Sequence, residues 1–152
     1  MKVTLRPIDR SNYNECIALR TGEGQERFVA PNICSLVQAA YEPDLFPLAI
    51  YRDETMVGFL LYDFDWEIGG WSMSRLMVDA RYQGQGIGSA AVRKFLDIFY
   101  CKHGKVPLYT SAEMENSIAI ALYEKMGFVR GEPFTYEQDG ETYTELRMLL
   151  MP

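Results

Sequence analysis

The chain has a single histidine, His103, and only three cysteines, Cys16, Cys34 and Cys101, among its 152 residues. The cysteines are odd in number, widely spaced and form no Cys-x-x-Cys pair, so neither a disulfide framework nor a zinc site is indicated. They read as buried apolar residues. His103 follows an apolar helical segment and precedes Gly104, a place where a cation suits a helix C-terminus. Serine–histidine and cysteine–histidine catalysis therefore have little to stand on. No run approaches the ~20 apolar residues of a membrane span, and MKVTLRPIDR lacks the apolar stretch of a signal peptide, which leaves a soluble cytoplasmic protein as the expectation. Positive charge is scarce as well: 15 Lys and Arg against 21 Asp and Glu leave a net charge of −6. Binding to a nucleic-acid backbone needs clustered cations that release counterions, so a cationic partner fits better.

What is present is apolar residues, 48% of the chain, enough for one domain over residues 1–152 with its own core. Val3 to Arg6 reads as a short strand. Asp9 is placed to cap a helix through Tyr13, Cys16, Ile17 and Leu19, and Asn32 one through Ile33, Leu36, Val37 and Ala40. Leu48 to Tyr51 and Met56 to Tyr62 flank Arg52-Asp53-Glu54-Thr55 as a hairpin, and a second turn falls near Gly69-Gly70. The strand Trp71 to Asp79 enters a glycine-rich turn and then a helix with Ile87, Ala91, Phe95, Ile98 and Phe99 at helical spacing, ended by Gly104. Leu108 to Glu113 is the next strand, and the strand–helix–strand unit implies a parallel pair with a right-handed crossover. Asn116 is placed to cap a short helix closed by Gly127, and Asp139-Gly140 joins two final strands. The fold class is α/β (α+β): one mixed, mostly antiparallel sheet containing one parallel unit, with about four helices.

The turn Gln83-Gly84-Gln85-Gly86-Ile87-Gly88-Ser89 places glycines at alternate positions where a strand enters a helix. Its backbone N–H groups, with the helix dipole behind them, suit a phosphate or pyrophosphate. A P-loop needs Gly-Lys followed by Ser or Thr, which the chain lacks, and Ser89 stands where a dinucleotide fingerprint needs its third glycine.

Gln83-Gly84-Gln85-Gly86-Ile87-Gly88 resembles the Gln/Arg-x-x-Gly-x-Gly pyrophosphate loop of the GCN5-related N-acetyltransferase (GNAT) family. Asn116-Ser-Ile-Ala119-Ile-Ala-Leu122-Tyr123-Glu-Lys-Met-Gly127-Phe128 resembles that family's second cofactor segment. The resemblance implies a central strand pair that splays after Val78 and Glu113, with acetyl-CoA in the opening and no metal. It implies that amides of Gln83 to Ser89 hold the pyrophosphate. Backbone groups of Met77 and Val78 would meet the pantetheine arm, with Asn116 on its other side and Tyr123 as general acid. It also admits a homodimer.

Acyl transfer to an amine needs the amine neutral, a donor for the oxyanion and a proton for the thiolate. An amine of pKa near 10.4 is neutral only about once in a few thousand at pH 7, so a base or a desolvating pocket is required. Many relatives place a carboxylate on the strand before the glycine turn, where Ser72 to Met77 here has none. Glu26, Asp63, Asp65, Glu67 and Glu113 remain as candidates. Asp63, Asp65 and Glu67, if extended, form a comb of carboxylates on one side, spaced on the order of 7 Å, which suits an acceptor with several charges. Gln25 to Leu36 resembles the corresponding stretch of bacterial spermine/spermidine acetyltransferases, which points to a polyamine acceptor. The alternatives are another amine (a peptide N-terminus, an aminoglycoside or an amino acid) and a non-catalytic acyl-CoA-binding regulator.

Overall fold

The computed structural model describes residues 2–152. Its elements run β1 (Val3–Pro7), α1 (Tyr13–Ala18), α2 (Asn32–Tyr41), β2 (Leu45–Arg52), β3 (Thr55–Asp65), β4 (Gly70–Val78), a 3₁₀ turn (Ala80–Tyr82), α3 (Ile87–His103), β5 (Leu108–Glu113), α4 (Ser117–Lys125), β6 (Val129–Gln138) and β7 (Glu141–Leu150). The seven strands form one sheet in the order β1-β2-β3-β4-β5-β7-β6. All neighbours are antiparallel except β4 and β5.

Strand β3 shows why helices cover both faces of this sheet. Its residues alternate sides except across a bulge at Val57, where Ile50 pairs with Gly58 and Tyr51 with Met56, so Val57, Leu60 and Tyr62 enter one core with Ile87, Phe95 and Phe99 of α3, while Met56, Phe59 and Leu61 enter a second with Cys16 and Leu19. A strand buried on both faces reads as a continuous apolar run, and Met56 to Tyr62 is such a run, every residue of it buried. Helix α3 places Ile87, Ala91, Phe95 and Phe99, each four residues apart, on its buried stripe.

Most boundaries agree with the sequence pattern. Asp53 (φ 54°) turns β2 into β3, and Asp139 (φ 53°) with Gly140 (φ 78°) turns β6 into β7. Helix α4 closes on a Schellman pair, Phe128 N to Tyr123 O at 3.0 Å and Gly127 N to Glu124 O at 3.0 Å, with Gly127 at φ 102°.

Four expectations are corrected. Asn12, not Asp9, stands at the N-cap of α1, because Asp9 spends its carboxylate on Ser11. Pro31 stands at the N-cap of α2. Asn32 is instead a buried tie, its amide donating to the Cys16 carbonyl at 2.9 Å and reaching the Met77 sulfur at 3.7 Å. Only Cys16 is buried, Cys34 and Cys101 being exposed. His103 does end α3, but its ring packs 4.0 Å from Trp71 and sits 3.2 Å from the Tyr62 hydroxyl. Burial, then Lys102, lowers its pKa, and the ring is packed among aromatic side chains rather than held out at the helix end. Among the described residues no helix is long and apolar enough to cross a membrane.

Candidate active site

The parallel pair is joined over only three rungs, Trp71–Leu108, Ser72–Tyr109 and Met73–Thr110. The cause lies in β4. Leu61 pairs with Arg75 and Tyr62 with Met73, so Ser74 is an extra residue in the β3–β4 ladder, and such a bulge bends the strand that carries it. Beyond Met73 the chain of β4 turns from β5, which continues along β7 to Glu113. The splay therefore begins after Met73 and Thr110, earlier than Val78 and Glu113. It leaves the facing edges of two central strands without a ladder partner, a place for a ligand with amide groups of its own.

This opening is the centre of a cleft of about 1070 Å³, walled by Ser72 to Val78, by the glycine turn, by Tyr109 to Ala112, by α4 and by the β6–β7 hairpin. Between Val78 and the glycine turn, behind the cleft wall, stands Asp79. That carboxylate is 3% exposed and accepts from the Arg20 amide at 3.0 Å, the Arg81 amide at 3.0 Å and Arg81 Nε at 2.8 Å. Burial alone would raise its pKa, yet the hydrogen bonds to Arg81 and Arg20 outweigh this and lower it. The end of β4 is thereby fastened to the chain after α1 and to the start of the turn.

Within the turn, Gly84 (φ 75°) and Gly86 (φ 79°) are left-handed, and a Cβ at either position would meet nothing within 4 Å. Close packing does not require these glycines. They turn the chain from the end of β4 into α3, whose first amides have no acceptor within the helix, the arrangement that holds an anion. Gln83, Gly84, Gly86, Ile87 and Gly88 line the cleft. Gln85 instead bonds the Arg52 guanidinium. Gln83 Nε2 donates to the Val78 carbonyl and to Gln25 Oε1, both at 2.9 Å, so the Val78 carbonyl already has one donor. Met77 and Val78 also line the cleft, across from Asn116, whose Oδ1 caps α4 by accepting from the Ala119 amide at 3.2 Å.

Tyr123 rises from α4 toward the splay and is 5% exposed. Burial pushes its phenol up to about 12, the Thr110 hydroxyl works against that, and the charge of Glu145 adds to it. The phenol is therefore protonated throughout the physiological range and set among the last rung of the parallel pair.

The carboxylates predicted for the acceptor are distributed unevenly. Asp65 and Glu67 line the cleft, as does Glu26, but Asp63 and Glu113 do not. The comb does not form, because β3 ends at Asp65 and the chain turns. Asp65 Oδ1 accepts from the Glu67 and Ile68 amides, at 2.9 and 3.3 Å. Asp63 is half-buried beside Ser74, and its pKa is raised, by burial first, then offset by Ser74. Glu113 is 6% exposed and bridges to Arg27 at 3.4 Å. Burial raises its pKa, Arg27 restrains the rise, and Glu145 and Glu115 add to it.

Sequence reasoning missed Glu145, Ser111, Tyr136 and Thr110. The alternation of β7 held the signal: if Leu146 and Met148 face the core, Glu145 and Arg147 face the other way, and both line the cleft.

The sequence matches the acetyltransferase (GNAT) family over residues 13–128. A spermine/spermidine N(1)-acetyltransferase of Bacillus subtilis is 25% identical over 138 residues, 84% of this chain and 88% of that protein. Among solved structures, spermidine N-acetyltransferase of Vibrio cholerae, in complex with CoA and spermine, superposes with a TM-score of 0.76 at 17% identity, over 97% of this chain and 94% of that one. The ribosomal-protein-S18-alanine N-acetyltransferase of Escherichia coli gives 0.73 at 19% identity, over 98% and 93%. The early splay, the open glycine turn and the buried tyrosine thus occur in a chain whose whole length follows this fold and most of whose sequence matches one family: the protein belongs to the acetyltransferase (GNAT) family.

Proposed function

We propose that the protein transfers the acetyl group of acetyl-CoA to a primary amine of a small polycationic acceptor, spermine or spermidine, by direct attack and with Tyr123 as the acid. The observation that carries this reading is the position of Tyr123, buried at the base of an opening whose two strand edges lack ladder partners. Amides of Gln83 to Ser89 would hold the pyrophosphate at the mouth, backbone groups of Met77 and Val78 the pantetheine arm, and Asn116 its other side. That route would bring the thioester to Tyr123.

A phenol at about 12 giving its proton outright to a thiolate near 8.5 goes uphill by about 5 kcal/mol. Tyr123 therefore acts by hydrogen bonding to the leaving sulfur, the proton moving as the C–S bond breaks. The polyamine reading rests on the cleft's acidic wall, where Glu26, Asp65, Glu67, Asp139 and Glu145 face Arg27, Arg75 and Arg147. Arg27 is engaged by Glu113. The Bacillus relative bears the same name of acceptor. The cytoplasm, where acetyl-CoA and free polyamines meet, is the compartment this reading assigns.

The test offers purified protein acetyl-CoA and a panel comprising spermine, spermidine, a monoamine, an aminoglycoside and a peptide with a free N-terminus, following free thiol. Thiol release should be fastest with the polyamines and need no added metal. Equal kcat/KM for all amines would remove the polyamine assignment, and cofactor binding without thiol release would indicate a non-catalytic binder.

A further inference from the structure

The proposed transfer needs a group that takes the proton of the attacking nitrogen, and the polar side chains that β4 offers to the cleft are Ser72, Ser74 and Arg75, none of them an acid. Resting on the acetyl-transfer reading above, we propose that Glu145 of β7 is that base, with Ser111 and Tyr136 as the residues that position it.

Glu145 is half-buried and lines the same cleft as Tyr123. Both of its oxygens are held: Ser111 Oγ donates to Oε1 at 2.7 Å and the Tyr136 hydroxyl donates to Oε2. Two donors on opposite oxygens fix the carboxylate plane, and an ionised carboxylate with about four lone-pair sites still has room for an incoming N–H. Its charge reaches the Tyr123 phenol, which places base and acid within Coulombic range of each other.

The other acids fit less well. Glu113 faces Glu145 directly across the β5–β7 ladder, but it is buried off the cleft wall and tied to Arg27. Asp65 is committed to its turn, while Glu26 and Glu67 stand exposed at the rim, where solvent competes for any proton.

A ring of contacts supports the arrangement. The Arg27 guanidinium lies over Tyr143 at 4.9 Å, and Tyr143 stacks on Tyr136 at 5.3 Å and 15°. Tyr136 bonds Glu145, and Glu113, opposite Glu145, closes the circuit back to Arg27 at 3.4 Å. The charged and titratable groups near Glu145 are thus Glu113, Tyr123, Tyr136, Arg27, Tyr143 and Arg147 on its own strand, and Arg75, which acts on Tyr136.

The proton balance follows. An acceptor arriving as ammonium loses one proton to water through Glu145, which relays it without holding it. The freed lone pair forms the C–N bond at the thioester carbonyl, and the tetrahedral adduct collapses with loss of the C–S bond. Tyr123 supplies the proton that ends on sulfur, and the nitrogen's second proton refills the phenol. The products are the amide, CoA thiol and one proton.

The experiment compares wild type with Glu145→Gln, using spermidine and a weakly basic monoamine, by thiol release between about pH 6.5 and 9.5, with CoA affinity as the check on folding. Glu145→Gln should bind CoA normally and lose roughly 100-fold or more in kcat/KM for spermidine near pH 7. The loss should shrink as pH rises, and be smaller for the weakly basic amine, because a neutral nitrogen no longer needs the base. Wild-type kcat/KM in the variant overturns the assignment, and so does a deficit of one size at every pH and with both amines. If Glu145→Gln fails to bind CoA, Tyr136→Phe on the exposed strand β6 decides: a pH-dependent loss supports the base and its positioning, and an unchanged profile overturns them. A wild type that releases no thiol with any amine removes the proposed function itself, and the base with it.

Discussion

The Thr110 hydroxyl donates to the Met73 carbonyl at 2.8 Å, across the last rung that joins β4 to β5. A side chain thus completes the hydrogen bonding of the strand at the point where the ladder stops. Thr110 is also the neighbour that acts on the Tyr123 phenol, so the residue that closes the parallel pair and the one that faces the opening are in contact. Thr110→Val keeps the β-branched shape but leaves a buried carbonyl short of a donor, and should cost about 1–3 kcal/mol of stability. Urea unfolding of the two proteins measures this. Stability equal to wild type would show that the rung does not depend on the hydroxyl.

Gly86→Val tests the glycine turn. At φ 79°, an added Cβ meets nothing within 4 Å, so close packing at that atom does not forbid the substitution. It strains the backbone by roughly 1–3 kcal/mol and puts a branched side chain where the pyrophosphate would lie. Calorimetry should show acetyl-CoA affinity at least tenfold weaker in a folded variant. Unaltered affinity would take the turn out of the cofactor site.

Tyr123→Phe removes a hydroxyl while the ring still packs on Phe128, 5.7 Å away. CoA affinity should hold, and turnover should fall by roughly 10² to 10⁴, the range for loss of a general acid. Because burial lifts the phenol to about 12, no fall in wild-type rate from its ionisation is expected until strongly alkaline pH. Turnover matching wild type would leave Tyr123 a packing residue.

Glu113→Gln gives a pH-dependent difference in stability. Glu113 is raised above 4.5 in the folded chain, by burial first, so the fold favours its protonated form. That contribution is complete below about pH 4.5 and fades as pH climbs through the raised value. Glutamine, neutral throughout, loses nothing. The Tm of the variant minus that of wild type should become more positive from about pH 4 to pH 8, and a difference that falls over that range would contradict the sign.

Asp65→Asn with Glu67→Gln addresses selectivity. The Asn oxygen can keep accepting from the turn amides that Asp65 Oδ1 now serves, so charge is removed with the turn retained. KM for spermine and spermidine should rise more than KM for a monoamine, and salt should act in the same direction on wild type. An unaltered preference would move polyamine recognition to Glu26 or Glu145.

Local features of the chain decided most of the element boundaries and the motif positions. Leu108–Glu113, the Gly104 stop, the Asn116 cap and the Gly127 closure all follow from periodicity, caps and left-handed residues, which act over a few positions. Both glycines at the mouth of the cleft were legible for the same reason. Tertiary structure decided what depends on registers between distant strands. The bulge at Ser74 exists only against Leu61 and Tyr62 of β3, and it moves the splay to Met73 and Thr110. The comb of acids failed because β3 ended where its hairpin turned. Asp79, one acid among many in sequence, became an anchor when Arg20 and Arg81 folded onto it. Glu145 gained its place opposite Glu113 and its donors Ser111 and Tyr136 only when β7 inserted between β5 and β6. Short-range preferences can be read along one chain, whereas the chemistry of a site is fixed by which chains end up side by side.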